Sequence, residues 1–144
     1  MYARLTSALI CTAILSLPLA AQANTGSLEV TLAGIAHDRG TLRVGLYNEA
    51  KTFRKEALAI ATAQTAATPD QASVRFDALP PGRYAIMAYH DEDGNGELNR
   101  RFGMFPTEGY GLSNNPRVSG PPAFEDSAFD LSPGLNQTRI ELRY

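Results

Sequence analysis

The chain has 144 residues, 44% of them hydrophobic and 19% charged, with 12 Gly, 9 Pro, one Cys and no Trp. That suffices for one small domain and leaves no room for two. A single Cys excludes an intrachain disulfide framework, and a net charge of −2 excludes the basic footprint of a nucleic-acid binder.

Met1 to Ala23 reads as a secretory signal peptide. Arg4 is its only charge, Leu5 to Leu17 form the apolar run, Pro18 ends it, and Ala21 and Ala23 occupy the −3 and −1 positions of a cleavage site. The run is too short, and too diluted by Thr6, Ser7, Thr12 and Ser16, to span roughly 30 Å of hydrocarbon. Cleavage after Ala23 leaves residues 24–144 as a single exported domain, periplasmic or secreted. It also removes Cys11, and with it thiol and thiolate-zinc chemistry. No second long apolar run follows, so the mature chain has no membrane span.

Leu28, Val30 and Leu32 alternate with polar residues, as do Leu42, Val44 and Leu46 after the His37-Asp38-Arg39-Gly40 turn. The two runs predict strands joined as a β-hairpin. Lys51 to Glu56 predicts one helical turn around Phe53, and residues 57–68 a weakly alternating edge strand. Val74 and Phe76 form the next strand, and Leu79-Pro80-Pro81-Gly82 a tight turn. Tyr84 to Tyr89 is apolar at every position, the pattern of a central strand covered on both faces. Phe129 and Leu131, then Ile140 and Leu142 beyond Ser132-Pro133-Gly134, complete the set. About seven short strands with Gly/Pro turns predict an all-β, two-sheet sandwich of transthyretin-like or immunoglobulin-like type.

Residues 90–122 break the alternation. A stretch of this length inside a compact domain is functional or disordered. Phe102, Met104, Phe105, Tyr110 and Leu112 supply apolar anchors that favour one long ordered loop. Its first part is dense in hard oxygen donors. Asp91, Asp93 and Asn95, followed by Gly96, match the opening of a calcium loop. Ca²⁺ takes six to eight oxygens at about 2.3–2.6 Å, so alternate carboxylates in a tight turn suit it. Glu97 offers its backbone carbonyl, and Asn99 its amide oxygen. Position twelve carries Phe102 in place of the bidentate Glu, and no helix precedes the loop, so it is not an EF-hand. A closing carboxylate must come from Glu108 or from Glu125 and Asp126. The alternative is a solvated Asx turn without an ion.

His90 falls on the inward side of the central strand, counting by two from Tyr84. It supports the loop by orienting Asp91 or a loop carbonyl; a hydrolase using His90 with Asp91 or Glu108 is the catalytic reading. His37 sits in a turn as a solvated residue. Ser113 lacks the second Gly of a nucleophile elbow and belongs to turn chemistry. Phe105, Tyr110 and Phe124 either line a surface for a protein, glycan or small ligand or form the core of the loop.

The ordered motifs Leu79-Pro80-Pro81-Gly82-Arg83-Tyr84-Ala85-Ile86, His90-Asp91, Asn95-Gly96, Gly109-Tyr110-Gly111-Leu112-Ser113-Asn114-Asn115 and Pro122-Ala123-Phe124-Glu125-Asp126-Ser127-Ala128-Phe129 resemble the exported bacterial proteins of domain-of-unknown-function family 2141. The resemblance covers nearly all of the mature chain. It implies a fold and a compartment but no chemistry, and that family's pattern often carries Asp where Asn99 stands here. The Leu79-to-Tyr84 element is also similar to transthyretin-like and carboxypeptidase-regulatory-like sandwiches, whose accessory roles are an analogy only. The function expected is therefore a non-enzymatic binding or structural module of the bacterial cell envelope, with Ca²⁺ as its one prospective cofactor and an envelope protein, glycan or small ligand as partner.

Overall fold

A computed structural model describes residues 24–144; the leader predicted at 1–23 lies outside the described residues. Two sheets face each other. The first has three strands, β10 (Gly134–Glu141), β1 (Gly26–Ile35) and β4 (Asp70–Leu79), in that order. The second runs β3 (Ala61–Ala66), β2 (Thr41–Tyr47), β5 (Gly82–Asp91), β8 (Tyr110–Leu112), and β9 (Phe129–Leu131) also pairs with β5. A two-stranded ribbon, β6 (Arg100–Arg101) with β7 (Phe105–Pro106), stands apart. One short helix, α1 (Phe124–Ser127), precedes β9. This is the all-β sandwich that the alternation predicts, with β8 added from the long loop.

The core lies between the sheets. Leu28, Val30, Leu32, Val74, Phe76 and Ile140 from the first sheet meet Leu42, Val44, Leu46, Tyr84, Ile86 and Ala88 from the second, all buried. Register holds these faces in phase: Val30 pairs with Val74, Leu32 with Ile140, and Val44 with both Ala63 and Ala88. A one-residue slip would turn every one of these side chains to the other face. Phe129, expected in this core, is half-buried at its margin.

The hairpin expected between residues 28–32 and 42–46 does not form. β1 pairs with β10 and β4, whereas β2 pairs with β3 and β5. The turn at residues 36–40 instead carries the chain from one sheet to the other. The Pro80-Pro81 turn and the Ser132-Pro133 turn do the same, because each joins strands of different sheets. The physical reason is that both flanking runs have one apolar face. Facing those faces across a core buries more apolar surface than laying them side by side. The helical turn expected over Lys51–Glu56 is a turn over residues 50–54 followed by a 3-10 turn at Glu56–Leu58.

β5 is buried along its whole apolar length. Its inward residues join the main core, and its outward residues Ala85, Met87 and Tyr89 join a second cluster with Tyr47, Phe53, Leu98, Leu112 and Phe124. The second cluster is built by the long loop and α1 folding over the outer face of the sheet. Phe53 packs edge-on against both Tyr47 and Phe124, with centroids 5.4 and 5.9 Å apart.

The loop is ordered by strand pairing and by Leu98, Tyr110 and Leu112; Phe102, Met104 and Phe105, expected as anchors, are exposed. β8 pairs with β5, and Tyr110 also exchanges backbone hydrogen bonds with Arg143 at 2.9 Å. That exchange ties the end of the first sheet to the edge of the second. Gly111 permits the approach: a Cβ there would lie 2.5 Å from Ile140 Cγ2 and 2.8 Å from the Glu141 carbonyl oxygen. Among the described residues, no helix is long and apolar enough to cross a membrane.

Candidate functional site

β5 ends with His90 directed inward and Asp91 directed outward, and the two have different tasks. His90 is fully buried. Its Nε2 donates to the Arg39 carbonyl oxygen, and its Nδ1 accepts the hydroxyl hydrogen of Tyr144 at 2.7 Å. The Tyr144 oxygen in turn accepts the Ala36 N–H at 3.1 Å. Both ring nitrogens are therefore spent on the inter-sheet turn and the chain end. His90 supports that turn, not a carbonyl of the 91–99 loop.

His37, expected to be solvated, instead packs on the His90 ring at 4.6 Å and pairs with Glu92 at 2.9 Å. The turn crosses to the other sheet, so His37 lies over the end of β5. Ser113 is buried: its hydroxyl donates to the Ser127 carbonyl and accepts the Ile86 N–H at 2.8 Å.

Asp91 organises the acidic loop. Its carboxylate is buried, with Oδ1 accepting the N–H groups of Gly94 and Asn95 at 2.9 and 3.1 Å and Oδ2 that of Gly96 at 2.9 Å. The chain can curl this tightly because Gly94 and Gly96 adopt φ of 75° and 81°, a region costly for side chains with a Cβ. Glu108 closes the loop from the far side. Its Oε1 accepts the Glu92 N–H and its Oε2 the Asn99 N–H, each at 2.9 Å.

Carboxylate oxygens of Asp91, Asp93 and Glu108 lie within 4.8 Å of one another. Asp93 is exposed, and its Oδ2 accepts the side-chain amides of Asn99 at 2.8 Å and Asn95 at 3.2 Å. The Asn99 hydrogen bond, with the Asn95 backbone N–H next, holds the Asp93 carboxyl below the usual carboxylate range. Asn99 Oδ1 accepts from Asn95 Nδ2 at 2.7 Å, and Asn95 Oδ1 accepts the Glu97 N–H at 2.8 Å. The Glu97 carboxylate stays outside the trio. Of the closing carboxylates considered from sequence, Glu108 is in place. Glu125 is not, because it pairs with Arg83 at 2.7 Å beside α1.

Among the described residues, no Lys, Arg or His pairs with any of the three carboxylates. The nearby basic groups His37 and Arg39 are engaged by Glu92. A carboxylate has about four acceptor positions. Glu108 uses two on backbone N–H groups, so lone pairs are left over for a cation.

Phe105, Tyr110 and Phe124 do not form one surface. Phe124 is buried in the second cluster, Tyr110 is half-buried against it, and Phe105 is 62% exposed on the β6–β7 ribbon. A feature the sequence did not disclose lies between the acidic loop and the outer face of β2 and β5. It is a cleft of about 560 Å³ lined by Tyr47, Glu56, Met87, Tyr89, Glu97 and Leu98, among others. Arg43 binds Glu56, and the Tyr89 hydroxyl lies within reach of both Glu56 and the Gly96 carbonyl. Burial, and next the Glu56 hydrogen bond, push the Tyr89 hydroxyl well above the ordinary phenol range. Arg43 and Tyr89 alternate with core residues, which signals an outward position. The register that brings them to Glu56 has no local signature.

No curated protein and no solved structure matches the chain. A family model does, over residues 30–139, under the description "Uncharacterized protein conserved in bacteria" (DUF2141). The match takes in both sheets, the acidic loop and most of β10, and so the chain belongs to this bacterial family.

Proposed function

We propose that the protein is an exported, non-enzymatic module of the bacterial cell envelope that binds Ca²⁺ through its acidic loop. The observation that carries this reading is the convergence of the Asp91, Asp93 and Glu108 carboxylates without a basic partner among the described residues. Clustered like charges raise one another's energy, and two of these groups are buried. A divalent cation removes that cost. Oxygen donors of three carboxylates suit a hard ion. Export rests on the leader predicted from the sequence at residues 1–23, and the lack of enzymatic action on the occupied ring nitrogens of His90 and the buried hydroxyl of Ser113.

Binding to the folded state stabilises it by RT ln(1 + [L]/Kd), about 2.7 kcal/mol at a hundredfold excess over Kd. Millimolar Ca²⁺ therefore raises the melting temperature relative to chelator. Glu108→Gln preserves the shape of the side chain, and Asp93→Asn removes a charge from an exposed position. Both variants lose most of the calcium shift; Asp93→Asn melts close to the parent in chelator, whereas Glu108→Gln, whose amide nitrogen faces one of the two backbone N–H groups that the carboxylate accepts, melts lower. Identical melting curves of the parent protein in the two buffers remove calcium from the account.

The cleft beside Tyr47 and Tyr89 favours a second reading, a small polar ligand held without metal. A ligand bound there would perturb the tyrosine absorbance of Tyr47→Phe and of the parent differently, in calcium and in chelator alike.

A further inference from the structure

The β6–β7 ribbon ends in a projecting turn whose side chains face solvent. Phe102 is 82% exposed, Met104 68% and Phe105 62%. Three large apolar side chains on four consecutive positions, none buried, contribute almost nothing to the core. The turn is also costly to hold. Phe102 has φ of 54° and Gly103 of 69°, and a bulky residue in the left-handed region is strained by roughly 1–3 kcal/mol. The ribbon is nonetheless shaped: Arg101 pairs with Phe105, Arg100 with Pro106, and the Met104 N–H donates to the Arg101 carbonyl at 3.2 Å. An ordered, strained, apolar tip implies an apolar medium that receives it.

The charge around the tip identifies the medium. Arg100 and Arg101 are exposed at its base, and residues 100–107 contain no carboxylate. Neither arginine is in a salt bridge among the described residues, and the Arg101 guanidinium sits 6.0 Å from the Phe102 ring centroid. Aromatic and thioether side chains at the point, with guanidinium groups one step behind, match the order of layers met on entering a lipid leaflet. Acyl chains come innermost, then the anionic headgroup phosphates. A protein groove would match the apolar groups but gives no account of Arg101, exposed beside the Phe102 ring, and of Arg100, whose one side-chain contact among the described residues, besides the cleft, is the Leu98 carbonyl at 3.5 Å.

From this geometry we infer that the tip formed by Phe102, Met104 and Phe105 docks the protein on a membrane surface rich in anionic phospholipid, with Arg100 and Arg101 on the headgroups. The docking is interfacial and shallow, since the ribbon is only a few residues long. It stands on the chemistry of the tip and does not require the calcium reading. The two are physically joined, however: Asn99 and Glu108 close the base of the ribbon, and the Thr107 N–H donates to the Asn99 carbonyl at 2.9 Å. A cation at the acidic loop would lessen the repulsion between Asp93 and Glu97 and the same headgroups.

The test is co-sedimentation of the purified protein with vesicles of phosphatidylcholine, with and without phosphatidylglycerol, in calcium and in chelator. The protein partitions onto the phosphatidylglycerol vesicles. The triple variant Phe102→Ser, Met104→Ser, Phe105→Ser binds about tenfold less or weaker still, with an unchanged melting temperature because the replaced side chains are exposed. This variant is the reference for binding through any other segment. The chain has no Trp, so in Phe105→Trp a blue-shifted emission on adding vesicles reports insertion at that position. Binding in both buffers, or in calcium alone, supports the inference. Equal sedimentation of parent and triple variant overturns it, as does equal binding to vesicles without phosphatidylglycerol. Lack of binding to any vesicle also overturns it and leaves the tip to a protein partner. The melting comparison in calcium and chelator is read without lipid, so failure of the cation site and failure of docking are seen separately.

Discussion

His90 and Asp91 are neighbours in sequence and opposite in role, because alternation along a strand sends consecutive side chains to opposite faces. His90 holds the crossing turn and Tyr144 together through two part-buried hydrogen bonds. Replacing it by Phe keeps an aromatic ring of similar size and strands the Arg39 carbonyl and the Tyr144 hydroxyl. We expect a loss of about 0.5–1.5 kcal/mol, the net worth of a protein hydrogen bond where water reaches the partners left behind, measured by urea unfolding. A variant as stable as the parent would show that water satisfies both groups. Asp91 was legible as a prospective ligand from its spacing with Asp93 and Asn95. Its other task, holding three backbone N–H groups, emerges only when the loop is closed. Glu108 stands seventeen residues along from Asp91, and sequence offered it only as one of three closing carboxylates. Strand pairing of Tyr110–Leu112 with β5 is what brings it back to the loop.

At the scale of elements, β5 was the most readable segment, since an uninterrupted apolar run has to be covered twice. β8 was the least. Its Gly-Tyr-Gly-Leu sequence lacks β-branched residues and alternation, and glycine lowers strand propensity. It is a strand because β5 offers it an edge and because Gly111 lets the backbone reach the first sheet. Gly111→Ala places a methyl group against Ile140 Cγ2 and the Glu141 carbonyl. A backbone oxygen yields little, so β8 must move outward. The expected cost is about 1–3 kcal/mol, typical of overpacking, with faster amide exchange at Tyr110 and Arg143 as the local signature. Unchanged exchange at these two amides would mean that β8 does not tie the sheets together.

For the whole molecule, the second cluster converts the outer face of one sheet into a buried layer, and this has a consequence at high pH. Burial, with the Glu56 charge adding to it, pushes the Tyr47 hydroxyl from 10.0 up to about 12. Folding therefore favours the protonated form. The stabilisation is complete below pH 10, where both states keep the proton. It is lost as pH rises towards 12, because the unfolded chain ionises first. Tyr47→Phe flattens part of this alkaline decline in melting temperature, and Tyr89, raised in the same direction, accounts for a remainder. An identical decline in parent and variant would show that Tyr47 ionises freely in the folded state. What the sequence by itself determined was the all-β class, the inward face of each long strand, the ordered loop and its oxygen-rich opening, because period-two burial and Asx-Gly turns are local effects written in neighbouring residues. Tertiary structure alone decided which strands pair, that β1 and β2 belong to different sheets, that Glu108 closes the acidic loop and that Phe124 is core while Phe102, Met104 and Phe105 are not. Alternation marks an apolar face but does not say which other face will cover it; that choice is made only when the two sheets compete for the same core.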